Sequence, residues 1–576
     1  MIRRLLDCCR NIPREYALLG VLAFGVYLPG FWWGAPHATG PLRVQSWGVD
    51  DGTPLQPLAD VHNIIQPKPD RNFGYPLMHS FATTAAYAPY LGYLYATGQF
   101  RPATGYPFGL KDPVAALRTL SRIAHLMSVL LGVGVVLCAY DAARALWNQR
   151  AGAIAALFVL SMYPMFYYSR AGNPDVMMMF FFAASIAALA RILQHGLAWR
   201  RALALGACAG FAAATKEQVA AAYLALPLIL LGNEWLTERR LFRAQFWKLA
   251  IAAGFACFIA FGLGSGLFAD PAFYLVHLEF GRERMAAVGA GQVSFVKYYP
   301  WTAEGNWQLT LYLLNFVVGN ITWFGVIAAL GGIVLAARRQ PKVLLLALAA
   351  VTYILILFVS TRSGMLRYLM PPSFVLLVIA AGFIESGLGA RGAFRYGAAT
   401  MGILIFGLGA LRGADLTHAM VTDSRFAAGA WIDSNVRAGQ TIEYFGPDSP
   451  LPPMPAEVQQ FRTTTFKGAV YRARRDEEAA AEVRQGWAER RPEFILLLPD
   501  HSSQPGEPYN VTLPPSVYDD LLQGQLGYRL VALFETPALL PWVQRPALDY
   551  PSVNPPVRIF ARDDLARELA QKGSAQ

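Results

Sequence analysis

The stretch YALLGVLAFGVYLPGFWW, residues 16–33, decides the fold class of this chain. It carries no charged residue, and as a helix it is long enough to cross the hydrocarbon core of a bilayer. Arginines precede the stretch and the aromatic group Phe31-Trp32-Trp33 ends it, as is typical of a membrane–water interface. It lacks a clean small-residue cleavage site, so we interpret it as a retained first span and not as a removable signal peptide.

Further apolar runs follow along the chain, which is 55% hydrophobic and only 15% charged. Soluble domains carry about 25% charged residues. We therefore expect a multi-span α-helical membrane protein with about eleven transmembrane helices. The predicted spans are 16–33, 123–146, 151–168, 174–193, 201–215, 217–232, 248–268, 310–337, 342–360, 368–388 and 393–411.

The formal net charge of +11 does not indicate nucleic-acid binding, because the basic residues form short clusters between apolar runs. This pattern follows the positive-inside rule and predicts a cytoplasmic N-terminus. Three regions then lie outside: a first outer loop, 34–122, an outer loop, 269–309, and the tail, 412–576. If the nearly uncharged segment 76–98 crossed the membrane, every later loop would lie on the opposite side of it. We therefore expect this segment to lie in the membrane interface or to pack on the helical bundle.

Helix-like and strand-like patterns alternate in the tail, which predicts a small α/β domain with a largely parallel sheet. The expected helices are 424–437, 476–489, 516–526 and 563–572, and the expected strands are 441–445, 493–498, 528–534 and 557–561. The chain would thus divide into a transmembrane domain, residues 1–411, and an extracytoplasmic α/β domain, residues 412–576.

Asp50 and Asp51 are adjacent carboxylates just beyond the first span. A carboxylate in this place can take a proton from an attacking hydroxyl. Two carboxylates also offer hard oxygen ligands to a divalent cation, Mg, Mn or Zn, although no cofactor is certain. The alternative is structural, since Asp51-Gly52-Thr53-Pro54 has the composition of a simple turn.

Charged residues recur at the short outer turns between later spans. Arg170 and Asp175 flank one turn, Lys216 begins a second, and Arg367-Tyr368 occupy a third. The predicted topology gathers these side chains on one face, where cations can hold an anionic headgroup beside a carboxylate. The structural alternatives are helix capping by Asn173 or Asp175 and an interfacial ion pair at Lys216.

Other polar residues of the outer loops are weaker candidates for contacts with a substrate. His62 and Lys68 belong to the first outer loop and Arg284 to the second. A charged residue in a long loop is usually only solvated. We retain Lys68 as a candidate phosphate contact, and Tyr75, His62 and Arg284 as candidate substrate contacts.

In the order of its motifs, the chain resembles the GT-C-type, polyprenyl-phosphate-dependent glycosyltransferases of the protein O-mannosyltransferase and aminoarabinose transferase group. The resemblance covers most of residues 10–445. The motifs that carry it are Asp50-Asp51, Pro67-Lys68, Phe73-Gly74-Tyr75-Pro76, Tyr168-Ser169-Arg170 with Asp175, Thr215-Lys216-Glu217-Gln218, Arg367-Tyr368-Leu369-Met370-Pro371, Asp423-Ser424-Arg425 through Trp431-Ile432, and Gly439-Gln440-Thr441-Ile442.

The resemblance implies transfer of a sugar, with inversion, from a polyprenyl-phosphate donor on the extracytoplasmic side of the membrane. It implies that Asp50 is the base and Asp175 the second carboxylate, with Asp51 where the family often has glutamate. Tyr75 stands where the aminoarabinose branch usually has a phosphate-binding lysine, which leaves Lys68, Arg170 or Lys216 for the phosphate. The sugar stays open, as does the acceptor: a glycan, a lipid or a protein. The expected location is a bacterial inner membrane, facing the periplasm.

Two other functions remain as alternatives. The first is a lipid-linked sugar flippase or transporter, although such proteins often consist of repeated halves with charges near the midplane. Here the charges gather at one face and no repeat is visible. The second is a ligase that uses a diphosphate-linked glycan, which would need the same cationic face.

Overall fold

The structure is a computed structural model. It describes residues 13–37, 44–48, 50–67, 74–241, 243–289, 297–445, 451–455, 458–463, 466–467, 472–473, 476–499, 513–543, 545–546 and 553–573. The first part of the chain is helical. Its α-helices are α1 (Arg14–Tyr27), α2 (Leu55–Ile65), α3 (Met78–Ala96), α4 (Pro113–Leu146), α5 (Gln149–Leu160), α6 (Met165–Tyr168), α7 (Pro174–His195), α8 (Trp199–Thr215), α9 (Ala220–Tyr223), α10 (Leu226–Glu238), α11 (Ala244–Ser265), α12 (Pro271–Gly289), α13 (Ala303–Arg339), α14 (Lys342–Ile356), α15 (Met370–Leu388) and α16 (Ala393–Val421).

Every predicted span coincides with helix, but the predicted count of eleven is not confirmed. Among the described residues, eight helical segments are long and apolar enough to cross a membrane. The other three predicted spans, 16–33, 151–168 and 201–215, correspond to shorter helices. The second of these is broken, because a turn around Pro164 separates α5 from α6.

Small residues determine how closely the helices pack. Gly206 and Gly210 of α8 lie directly against α11, where an added Cβ would come within 2.0 Å of the Ala253 carbonyl oxygen and 2.3 Å of that of Cys257. Glycine at this four-residue spacing lets two helix backbones approach in a membrane. The α7 and α15 helices lie deepest in the bundle, with most of their residues buried.

The uncharged segment 76–98 forms one helix, α3, which packs on α4. Tyr87 and Leu94 of α3 share a hydrophobic cluster with Leu117 and Leu120 of α4. Its packing on the bundle agrees with the prediction, and its position relative to the bilayer stays a prediction.

The tail forms a small sheet domain with helices on both faces. Its elements are α17 (Ser424–Asn435), β1 (Thr441–Phe445), β2 (Gln459–Thr463), β3 (Phe466–Lys467), β4 (Arg472–Ala473), α18 (Glu477–Arg490), β5 (Phe494–Leu497), α19 (Pro515–Leu522), β6 (Tyr528–Phe534), β7 (Val557–Arg562) and α20 (Asp563–Gly573). Every predicted helix and strand of the tail is present within a few residues of its predicted bounds.

The prediction of a largely parallel sheet is wrong, because the five-stranded sheet is mixed. Its order is β2-β1-β5-β7-β6. The β1 strand pairs in parallel with β2 and β5, whereas β7 runs antiparallel to both β5 and β6. A parallel pair needs a crossover, usually through a helix. The described residues between β6 and β7 include no helix, so β7 returns antiparallel.

A buried ion pair joins the tail to the start of the chain. Arg425 donates to Asp423 through Nε and Nη2, each at 2.8 Å, and both side chains are fully buried. The Trp33 indole donates to the same Asp423 carboxylate at 2.9 Å, and the Arg425 guanidinium lies 3.7 Å from the ring centroid of Trp47. This junction holds the tail domain beside the first outer loop.

Candidate active site

Asp50 is the more accessible carboxylate of the acidic pair, with 30% of its side chain exposed. The Arg367 guanidinium lies 2.5 Å from Asp50 Oδ2, and the Tyr75 hydroxyl donates to the same oxygen at 3.2 Å. The Asp50 backbone has φ 56°, in the left-handed region that Asp tolerates better than most residues. The turn therefore directs Asp50 toward cations from two other parts of the chain.

The charge on Asp50 persists at neutral pH. Burial raises the pKa of this carboxyl, but the charges of Arg367 and Lys216 and the hydrogen bonds from Arg367 and Tyr75 outweigh burial and lower the pKa to about 2. Tyr75 stays protonated, because burial and the Asp50 charge raise its pKa well above the usual value. Asp50 is thus an ionised carboxylate whose basicity is restrained by its partners.

Asp51 has a different role, since it is buried and its oxygens are already bonded. Its carboxylate accepts from the Gly172 backbone N–H at 2.9 Å and from the Thr53 hydroxyl at 2.5 Å. His125 Nε2 lies 2.9 Å from Oδ2. Burial opposes ionisation, but these partners hold the pKa of Asp51 below its usual value. The Asp51 side chain fastens the acidic turn to α4 and to the turn before α7.

His125, a buried residue of α4, is a member of the site that the sequence analysis missed. Its Nδ1 lies 2.7 Å from the Phe31 carbonyl oxygen, while its Nε2 faces the Asp51 carboxylate. A carbonyl oxygen only accepts, so Nδ1 must carry a proton. A lone histidine within an apolar helix gives no signal of this role.

Asp175 and Lys216 form a second ion pair beside the first. Lys216 Nζ lies 2.7 Å from Asp175 Oδ1, and both side chains are almost fully buried. Asn173 caps α7 by accepting from the Asp175 backbone N–H, which confirms the capping interpretation for Asn173. Asp175 Oδ2 is buried without a hydrogen-bond partner among the described residues. This oxygen is therefore available to a ligand.

Two aromatic rings connect the ion pairs. Lys216 Nζ lies 5.3 Å from the ring centroid of Tyr75 and 5.4 Å from that of Tyr368, distances that suit cation–π contacts. Arg367 lies 5.6 Å from the Tyr368 ring centroid. The structure thus brings together six of the predicted site residues in one cluster of two anions and two cations. They are Asp50, Tyr75, Asp175, Lys216, Arg367 and Tyr368.

Arg170 does not join this cluster. It is fully buried, and its guanidinium donates to the backbone carbonyls of Phe166 and, at 2.7 Å, Val26. These contacts tie α6 to α1. A cation bound to two carbonyl groups is positioned to brace helices and not to meet a phosphate.

The remaining predicted contacts lie outside the cluster. His62 and Arg284 are exposed, on α2 and α12 respectively, and Lys68 falls outside the described residues. The α12 helix is nevertheless tied to the site by a contact that sequence reasoning missed. His277 Nε2 lies 3.1 Å from the carboxylate of Glu217, the residue that follows Lys216.

The acidic pair does not fit a divalent-cation site. The hydrogen bonds of Asp51 occupy both its oxygens, and Asp50 faces an arginine. The described residues include no group of three or more His, Cys, Asp or Glu side chains arranged around a metal.

Part of the chain matches a known protein family. Residues 118–262 match the family model of the dolichyl-phosphate-mannose-protein mannosyltransferases. The matched stretch contains His125, Asp175 and Lys216, whereas Asp50 and Arg367 lie outside it. No curated protein matches the chain significantly.

Several solved structures have a similar course of the chain at low sequence identity. ArnT from Cupriavidus metallidurans bound to undecaprenyl phosphate is 14% identical, with TM-score 0.41, over 94% of this chain and 97% of that chain. The Archaeoglobus fulgidus oligosaccharyltransferase tethered to an acceptor peptide is 12% identical, with TM-score 0.44, over 95% and 88%. The arabinofuranosyltransferase AftD from Mycobacteria is 15% identical, with TM-score 0.40, over 95% and 41%. At these TM-scores, such likenesses are too weak to establish activity.

The family match agrees with the resemblance that the motifs predicted and with the bundle of apolar helices. Over residues 118–262 the chain is similar to the dolichyl-phosphate-mannose-protein mannosyltransferases.

Proposed function

We propose that this protein transfers a sugar from a polyprenyl-phosphate donor to an extracytoplasmic acceptor, with inversion at the anomeric carbon. The observation that carries the proposal is the cluster in which Asp50 meets Arg367 beside the Asp175–Lys216 pair. It supplies an accessible carboxylate and two cations within one site. These are the groups needed to activate a hydroxyl and to stabilise a leaving phosphate.

Asp50 is the proposed general base. Its carboxylate is ionised and partly exposed, whereas Asp51 is enclosed by its own hydrogen bonds. In the proposed step, the acceptor oxygen bonds to the anomeric carbon as the bond from that carbon to the phosphate oxygen breaks. The hydroxyl proton passes to Asp50, and the electron pair of the broken bond stays on the lipid phosphate. Attack from the face opposite the phosphate inverts the configuration.

Arg367 couples donor binding to the strength of the base. Its guanidinium pairs with Asp50 and lowers the pKa of that carboxyl. A donor phosphate beside Arg367 would compete for the same guanidinium, since arginine binds carboxylate and phosphate alike. Partial release of Asp50 would raise its pKa and make it a better base once the donor is in place.

Lys216 is the proposed second phosphate contact. It lies under the Tyr75 and Tyr368 rings and is paired with Asp175, so its ammonium is already held in place. Charge on the phosphate oxygens increases as the sugar leaves, and a preorganised cation stabilises that charge without reorganising. Tyr368 and Tyr75 would then border the bound headgroup. Lys68, whose placement the structure does not describe, remains a candidate.

The orientation of the protein is part of the proposal. Arg338 and Arg339 lie at the end of α13, and Arg395 lies at the start of α16. These basic helix ends lie on the side of the bundle opposite to the site residues of the neighbouring elements. The positive-inside rule makes these ends cytoplasmic. We therefore infer that the site and the tail domain face away from the cytosol, toward the periplasm in a bacterial inner membrane.

Transfer from a panel of radiolabelled polyprenyl-phosphate sugars tests the proposal. Membranes that contain the protein should yield product from at least one monophosphate donor, and membranes without it should yield none. The anomeric configuration of the product, measured by NMR, should be opposite to that of the donor. Product from a diphosphate-linked glycan alone would instead favour the ligase function. Movement of intact donor across vesicles without transfer would favour the flippase.

Replacing Arg367 with glutamine should shift the pH dependence of activity. Asp50 must be ionised to act, so activity falls as pH drops below its pKa, which is about 2 in the wild type. Without the arginine, only Lys216 and Tyr75 counteract the rise that burial causes in the pKa of Asp50. This pKa should therefore increase by about one to three. The pH below which kcat/KM falls should therefore be higher in the variant than in the wild type.

Arg101→Gln is the matched control for this pH profile, because Arg101 is an exposed arginine of the first outer loop, which also holds Asp50. Its acidic limb should coincide with that of the wild type. His79 lies near the carboxylates, and burial lowers its pKa to about 4, so a limb at that pH shared by all three proteins belongs to His79. An unchanged limb in Arg367→Gln would contradict the assignment of Asp50 as the base.

A further inference from the structure

The loop that leaves β6 exposes large apolar side chains at a place fixed by the membrane helices. Within residues 536–543 and 545–546, here named the anchor loop, Leu539 is 50% exposed and Trp542 is 69% exposed. Exposing a tryptophan to water forgoes the burial of a large apolar surface. The contacts of the loop show what environment this surface meets.

The anchor loop is fastened at both ends to the helical bundle. At its start, the Thr536 hydroxyl donates to the Thr422 carbonyl, just beyond α16, at 2.6 Å. Further on, the Leu540 N–H donates to Asp415 Oδ1 at 3.3 Å, and Arg545 Nε pairs with Asp415 Oδ2 at 3.0 Å. Asp415 is a buried residue of α16. The position of the loop is thus set by a membrane helix and not only by the sheet.

A second helix confirms the placement. Pro546 packs against Gly319 of α13, where a Cβ added to the glycine would lie 3.4 Å from the proline Cβ. The same added atom would meet Leu366, which precedes the Arg367 of the site. The loop therefore lies at the rim of the bundle beside the element that carries Arg367.

The depth of the Asp415 contact can be measured along α16. Asp415 lies twenty residues beyond Arg395 in this helix, and at 1.5 Å per residue it is about 30 Å from the basic end. The hydrocarbon core of a bilayer is also about 30 Å thick. Asp415 thus lies at the outer boundary of the hydrocarbon, and the anchor loop that bonds to it lies there as well.

We propose that the anchor loop inserts Leu539 and Trp542 into the outer leaflet at the level of the lipid headgroups. The occupant of this surface is the lipid itself, since tryptophan is favoured at the membrane–water interface, where its ring is shielded and its N–H stays near water. The loop would hold the tail domain against the bilayer next to the Arg367 element. This inference rests on the orientation proposed above and on the depth of the loop, and not on the proposed catalytic roles.

Depth-dependent quenching tests the proposal on the full chain. Trp542→Cys and Leu522→Cys are each introduced into a background without native cysteines and labelled with the fluorophore NBD. Both proteins are reconstituted in vesicles of phosphatidylethanolamine and phosphatidylglycerol. Leu522 is the matched control, because it is a 51% exposed leucine on α19, which packs on the other face of the sheet from α17.

The label at residue 542 should be quenched by lipids with a doxyl group near the headgroup, and it should be several-fold less accessible to aqueous iodide than the label at 522. Equal accessibility to iodide at both positions would overturn the proposal. Shielding from iodide without doxyl quenching at 542 would also overturn it, since protein would then cover the loop.

A second measurement needs no cysteine changes. Trp542→Phe in the otherwise unaltered chain should reduce the part of the tryptophan emission that headgroup-level doxyl lipids quench. An identical quenched fraction in the two proteins would overturn the proposal even if the cysteine variants fail to fold.

Discussion

Asp50→Asn is expected to lower kcat for sugar transfer by about 10²–10⁴-fold, the usual contribution of a general base. Asparagine is nearly isosteric and can still accept from Tyr75, but it cannot take the acceptor's proton. The KM for the donor should not rise, because Arg367 loses its carboxylate partner and becomes free for the phosphate. A fall in kcat with an unchanged or lower KM separates loss of the base from loss of binding.

Asp112→Asn is the matched control for this substitution. Asp112 caps α4 in the same outer loop by accepting from the Ala115 N–H at 2.9 Å, and asparagine caps a helix equally well. The control should keep wild-type kcat and thermal stability. Equal rates in wild type and Asp50→Asn would remove Asp50 from the chemistry and leave Asp175, with its unpaired Oδ2, as the next candidate.

Substitutions at the buried Asp51–His125 pair should have the second large effect, this time on stability. His125→Gln removes the imidazole that faces the Asp51 carboxylate in a site closed to water. Removing one partner of a buried ion pair typically costs about 3–5 kcal/mol. The apparent free energy of unfolding in detergent should fall by that order. Transfer should also weaken, because the turn that positions Asp50 loses its attachment to α4.

The double variant Asp51→Asn/His125→Gln distinguishes an ion pair from ordinary packing. With both charges gone, its loss of stability should be smaller than the sum of the two single losses. Asp60→Asn serves as a control, because Asp60 is a half-buried carboxyl that accepts from Gln56 and Ser80 and contacts no cation among the described residues, and burial raises its pKa. Strict additivity at residues 51 and 125 would contradict the charged pair.

Local patterns were sufficient to predict most helices and strands. Long apolar runs and basic flanks located the helices of the bundle, and turn residues located the elements of the tail. Pairing of strands was not predictable in the same way, because β7 is inserted between β5 and β6 by contacts distant in sequence. The break between α5 and α6 was also missed, since hydropathy does not register one turn at Pro164.

The site was predictable where charge interrupts apolar sequence, as at Asp50, Asp175, Lys216 and Arg367. The same signal was ambiguous at Arg170, because a buried arginine can bind phosphate or backbone carbonyls, and only the packing of α1 and α6 decides between them. His125 gave no signal at all. Its role depends on the Phe31 carbonyl and on Asp51, both distant from it in sequence.

The junction between Trp33 and Asp423 has a consequence for how the protein is made. The two residues are 390 positions apart, and Asp423 also accepts from the Asn554 N–H. At about 5–20 residues per second, the ribosome needs roughly 20–80 s to progress from one partner to the other. Throughout that interval, the loop that bears Asp50 lacks its final support. A nascent chain arrested before residue 423 would therefore carry Asp50 on an unfinished loop, and the proposed site would be complete only near the end of translation.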